Sequence, residues 1–183
     1  MRSRPFDPRR LDVEAFAKEG GELQGEWPLT ALVRLMDAAH PQALPSAGHV
    51  AHWQARGISL PMRGAPPQTW LEIEADTRLS LVCQRCLGPA DTAITAQRRF
   101  LFASDENTAE QLDADSEDDV LAMTRALDLR TLVEDELLLA LPLVPRHDVC
   151  PDPLPLVHDD EPAQEQPHPF AALAEFKRRG PAG

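Results

Sequence analysis

Trp70-Leu-Glu-Ile-Glu-Ala-Asp-Thr-Arg-Leu-Ser-Leu-Val82 decides the fold class. Leu71, Ile73, Ala75, Leu79 and Leu81 alternate with Glu72, Glu74, Asp76, Arg78 and Ser80. Successive strand side chains point to opposite faces, so this segment reads as a strand with one face buried and one wet, the pattern of an antiparallel sheet. A second strand is expected over 92–102, with Ile94, Ala96, Phe100 and Phe102 on one face. Between the two lies Cys83-Gln-Arg-Cys86-Leu-Gly-Pro-Ala-Asp91. Its Gly88 and Pro89 are turn residues, which predicts a hairpin with the cysteines at its tip.

Working outward, 49–56 is a further strand candidate and 22–27 a short one. A short helix over 11–18 ends at Gly20 and Gly21. Leu29, Leu32, Val33 and Met36 fall at helical spacing, predicting a helix over 29–39 that Pro41 prevents from continuing. The strongest helix spans 129–141. Asp128 can cap it, Leu129, Leu132, Val133, Leu137, Ala140 and Leu141 recur on one side, and Pro142 stops it. The segment 120–127 is a strand or the entry to that helix. The expected fold class is α+β: an antiparallel sheet, the long 129–141 helix packed on it, peripheral helices and long acidic loops. Residues 1–150 form one domain containing an acidic loop at 104–119, which is poor in apolar residues. A Pro- and acid-rich tether follows at 151–168. A C-terminal amphipathic helix is expected at 169–179, with Phe170, Leu173, Ala174 and Phe176 on its apolar side.

The net charge of −12 over 183 residues is unevenly placed. Residues 104–119 carry eight acids and 151–169 five more, with no Lys or Arg in either stretch. Setting those 13 aside leaves 17 acids against 18 bases, so the rest of the chain is close to neutral. A protein that grips nucleic acid through phosphates shows a basic footprint, and this chain has only local basic spots. No apolar stretch approaches a membrane span. The basic start, Met1 to Arg10, has no apolar core after it and does not read as a secretory signal. Three cysteines, an odd number, argue against a disulfide framework and point to a reducing cytoplasm.

A search for catalytic signatures returns no Gly-rich phosphate loop, no Gly-x-Ser-x-Gly elbow and no His-Glu-x-x-His pair. Glu134, Asp135 and Glu136 are adjacent carboxylates on a helix. Consecutive helical residues diverge, so these three read as a solvated face, or as a charged surface offered to a basic protein partner. The best site candidate is Cys83-x-x-Cys86 with His147-x-x-Cys150. A Cys₃His set makes a closed tetrahedral zinc site, structural and not catalytic. The alternatives are reduced thiols at a hairpin tip, with His147 a plain loop residue, and a redox pair, although the thioredoxin-like strand-to-helix setting is missing.

Three segments together resemble the YceD family of large ribosomal RNA subunit accumulation proteins. They are Cys83-Gln-Arg-Cys86 after an alternating strand, the run from Asp128 through Leu129-Arg-Thr-Leu-Val-Glu-Asp-Glu-Leu to Pro142 and on to Cys150, and Pro167-His-Pro-Phe-Ala-Ala-Leu-Ala-Glu-Phe-Lys-Arg-Arg179. The resemblance covers roughly the C-terminal two thirds. It implies a bacterial factor needed for accumulation or maturation of 23S ribosomal RNA, with no established catalytic activity, so a non-enzymatic role is expected. Some members of the family resemble zinc proteins through a second late Cys-x-x-Cys pair, where this chain has Cys150 with His147. The charge pattern suggests action through protein partners, a basic ribosomal protein or an assembly factor of the large subunit. One rival is an RNA-binding module contacting precursor rRNA through a stripe of Arg98, Arg99 and the terminal basic residues. Another is a small structural-zinc protein of other function.

Overall fold

A computed structural model describes residues 6–114 and 116–151. The expected tether and C-terminal helix lie beyond residue 151, outside the described residues. The elements run α1 (Val13–Lys18), β1 (Glu22–Pro28), a 3₁₀ turn (Leu29–Ala31), α2 (Val33–Asp37), β2 (Val50–Met62), β3 (Ala65–Val82), β4 (Pro89–Ala103), α3 (Glu106–Asp113), β5 (Asp119–Ala122) and α4 (Leu129–Leu139).

The five strands form one sheet in sequence order. β1 to β4 are an antiparallel meander. The alternation read in the sequence holds: Leu71, Ile73, Ala75, Leu79 and Leu81 of β3 face the core beside Ile94, Ala96, Phe100 and Phe102 of β4. Phe16 of α1, Leu35 of α2, and Leu129, Val133 and Leu137 of α4 pack in the same cluster. Gly57 of β2 lies under α1. A β-carbon there would come within 2.7 Å of the Phe16 ring and 2.8 Å of the Ala17 backbone, so only glycine admits the helix this close.

The sheet is mixed, not purely antiparallel. β5 runs parallel to β4, with Phe100 opposite Asp119 and Ala103 opposite Ala122. A parallel neighbour requires a crossover, and α3 supplies it. The acidic stretch expected as a loop at 104–119 therefore holds the helix α3 and, at Asp119, the start of β5. Asp105 caps α3 by accepting the Thr108 N–H at 2.9 Å, and Ala109 buries against Trp70, Leu101, Ala103 and Val120 on the other face of the sheet. A single buried alanine was enough to seat a helix whose other faces are acidic.

The helix expected over 29–39 is broken in two. Leu32 leaves helical geometry, at φ −102° and ψ 76°, and α2 begins anew at Val33, whose side chain is exposed. The break is set from outside. The Glu134 carboxylate accepts the backbone N–H groups of Arg34 (2.7 Å) and Leu35 (3.2 Å), serving as the cap that Leu32 cannot provide. α4 ends at Leu139, two residues earlier than expected. No helix among the described residues is long and apolar enough to cross a membrane.

Candidate functional site

β3 ends at Val82 and β4 starts at Pro89, so the intervening turn must reverse the chain while holding two cysteines. It does so with Cys83 N–H donating to the Gly88 carbonyl and Leu87 N–H donating to the Cys83 carbonyl, both at 2.9 Å. Leu87 takes φ +60°, the left-handed region disfavoured for a residue with a β-carbon. The segment after α4 then lies against this turn. Gln84 N–H donates to the Pro145 carbonyl at 2.8 Å, which brings His147 and Cys150 to the hairpin tip.

Cys83, Cys86, His147 and Cys150 converge. Their ligand atoms all lie within 4.8 Å of one another. Cys83 Sγ is 3.9 Å from Cys150 Sγ, and Cys86 Sγ is 3.4 Å from His147 Nδ1. A tetrahedral zinc with ordinary bond lengths would set sulfur–sulfur edges of about 3.8 Å and sulfur–nitrogen edges of roughly 3.5 Å. The ring is also oriented for ligation. His147 Nε2 is 2.9 Å from the Pro89 carbonyl oxygen, which can only accept, so the proton sits on Nε2 and the Nδ1 lone pair faces the thiols.

Electrostatics favour a cation here. Burial works against a Cys83 thiolate, but N–H groups of Cys86, Arg85 and His147, with the Cys86 thiol, outweigh it and lower its pKa to about 5. Burial, together with neighbouring Cys86 and Cys83, pushes the Cys150 thiol up. The cluster thus accommodates one negative charge readily and resists a second, and a bound cation relieves that repulsion. Three soft sulfurs and an imidazole can hold a metal ion, and all three cysteines are free thiols.

The other candidate residues are held within the domain. Glu134 and Glu136 are only 8% and 6% exposed, which corrects their reading as a solvated face. Glu134 caps α2 and also faces the Arg34 guanidinium at 3.2 Å, while Asp135 meets Arg34 at 2.5 Å. Glu136 accepts from Arg98 Nε at 3.0 Å. Arg98 and Arg99 point to opposite faces of β4, the former to Glu136 and the latter over the Trp70 ring at 3.8 Å. They do not form a basic stripe. One residue was missed altogether. His40 is buried, and its Nε2 lies 3.0 Å from the Leu87 carbonyl at the cysteine turn. A lone histidine beside Pro41 gives no signal in sequence.

The match to known proteins spans the cysteine turn and α4. The family described as Large ribosomal RNA subunit accumulation protein YceD matches residues 71–177, more than half of the chain. The chain belongs to the YceD family. The YceD large ribosomal RNA subunit accumulation protein of Haemophilus influenzae is 32% identical over 113 residues, covering 55% of this chain and 61% of that relative. The chain thus spans about three fifths of that curated relative's length. No solved structure matches it. The YceD match begins at Leu71, so β1, β2, α1, α2 and His40 all lie outside it.

Proposed function

We propose that this chain is a non-enzymatic factor in the accumulation of large-subunit ribosomal RNA, acting through a basic protein partner. Membership of the YceD family carries the reading. The charge distribution supports the partner class. Glu106, Glu110 and Asp118 project from α3 and its exit into solvent, in a segment without a single Lys or Arg. Ribosomal proteins are strongly basic, and an acidic surface accelerates their encounter and occupies their cationic groups until RNA takes over. The pairing of Arg98 and Arg99 with groups of the same domain speaks against the direct-RNA alternative. Cytoplasmic location goes with this role.

The Cys83, Cys86, His147 and Cys150 set is read as a structural zinc centre. Four protein ligands leave no open position for a substrate. Purified chain should hold one zinc per molecule by elemental analysis, and Cys86→Ser should hold much less. Equal zinc content in the two would reject this reading.

The functional test is sedimentation of a cell lysate with Glu106→Gln, Glu110→Gln and Asp118→Asn combined, a set that spares the capping Asp105. Wild type should travel with large-subunit precursors or with a free basic ribosomal protein, and the triple variant should lose that association most at low salt. Identical sedimentation of both proteins at every salt would overturn the electrostatic reading.

A further inference from the structure

We infer that His40 is a positioning residue for the metal centre, so that metal retention by the family-matched part of the chain depends on the N-terminal third. The inference rests on the zinc reading above. His40 is 4% exposed, the one fully buried histidine among the described residues. Both ring nitrogens are engaged. Nδ1 accepts the Gln42 N–H at 3.1 Å, which places the lone pair there. Nε2 therefore carries the proton and donates it to the Leu87 carbonyl at 3.0 Å. The backbone is fixed as well, since His40 N–H donates to the Ser80 carbonyl on β3 at 2.7 Å. The ring is thus a rigid donor aimed at one atom.

That atom belongs to the strained residue of the turn. Leu87 holds φ +60° with its side chain exposed, so no packing of its own fixes the conformation. Two main-chain bonds do: its N–H to Cys83 and its carbonyl to His40. The same turn sets where the Cys83 and Cys86 sulfurs point. Without the His40 donor, Leu87 is free to return to a right-handed conformation, which would swing Cys86 away from His147. His40 is not one of the four clustered ligand residues and acts through Leu87.

Its neighbours close a mechanical circuit. His40 follows α2, whose other end is capped by Glu134 of α4, and the chain leaving α4 carries His147 and Cys150 back to the turn. A metal held by the four ligands would join the last gap. Partners that support ligands in this way typically change metal affinity about tenfold to a hundredfold when removed.

The test uses the full chain loaded with zinc and a chromophoric chelator as competitor. His40→Leu fills the space without a donor and should give up zinc at about tenfold to a hundredfold lower chelator concentration. His40→Gln, which keeps an N–H near the Nε2 position, should stay near wild type. A cobalt-substituted His40→Leu chain should show an altered thiolate absorption band, which a purely global loss of stability would not produce. Equal retention by wild type and His40→Leu overturns the role of His40 and leaves the zinc reading standing. A wild-type chain that takes up no zinc overturns both. Should the leucine variant not fold, the His40 ring proton of wild type decides. It should be protected from exchange with zinc bound and exposed after chelation, and a resonance indifferent to chelation overturns the inference.

Discussion

The carboxylate of Glu134 caps a helix one hundred residues earlier, accepting the Arg34 backbone N–H at 2.7 Å. This bond explains both the buried acid and the broken 29–39 helix. Removing it strands the Arg34 and Leu35 N–H groups at a partly buried helix start. Glu134→Ala should therefore lower unfolding free energy by about 2 kcal/mol in urea titration. Asp135→Ala removes only a half-exposed ion pair to Arg34 and should fall within about 1 kcal/mol of wild type. Equal losses at the two positions would mean that the cap contributes nothing beyond the ion pair.

Glu136 gives a pH signature. Burial raises its carboxyl pKa above the ordinary value of 4.5, against the opposing pull of the Arg98 guanidinium. A raised folded-state pKa means that the folded protein favours the protonated acid. That contribution is fully present below the unfolded value and is lost as pH rises through the folded one. Compared with Glu136→Gln, wild type should therefore gain stability as pH falls from 7 towards 4.5, read as the shift in urea midpoint between the two proteins. A difference constant across that range, or one that changes in the opposite direction, would show that Glu136 is not desolvated as its burial implies.

These two acids show where the sequence stops being informative. Alternation exposed β3 and β4 directly because each has one dry face. It missed residues 65–68, where Pro66 and Pro67 break the pattern. The structure tolerates them because that stretch pairs with β2 alone, while β4 joins only from Thr69 onward. Cys83, Cys86, His147 and Cys150 were legible because ligand spacing is local within each pair. The acidic helix α3 was not, since a single buried alanine, Ala109, leaves almost no periodic signal. Nor were the burial of Glu134 and Glu136 and the role of His40, because each depends on a partner 38 or more residues away.

Gly57 tests how tightly α1 is seated. A methyl group there meets the Ala17 backbone at 2.8 Å, and a backbone cannot rotate aside as a side-chain tip can. Gly57→Ala should cost about 1–3 kcal/mol by overpacking, seen as a lower thermal midpoint. The damage should centre on α1, where amide exchange rises first. Gly48, with nothing within 4 Å of an added β-carbon, is the control, and Gly48→Ala should change stability little. Similar losses at both sites would rule out the steric argument.

Metal removal should loosen one segment and spare the sheet. The Cys83, Cys86, Ala90 and Cys150 cluster is separate from the main core, which is built from Leu71, Ile73, Phe100, Val133 and their neighbours. Without a metal, the 143–151 segment keeps the Gln84–Pro145 and His147–Pro89 hydrogen bonds to the hairpin tip, with the weaker sulfur contacts of His147 and Cys150 beside them. Leu143, Val144 and Val149 are exposed there and add little packing. Chelation should therefore raise hydrogen exchange across 143–151 and open Cys150 to alkylation, while the amides of β3 and β4 stay protected. The separation is physical: metal-dependent order would be confined to residues whose other anchors are a few hydrogen bonds, whereas the strands keep their ladders and buried faces. If chelation instead releases the whole sheet at once, the metal is integral to folding of the entire domain, as in small zinc modules that lack a core of their own.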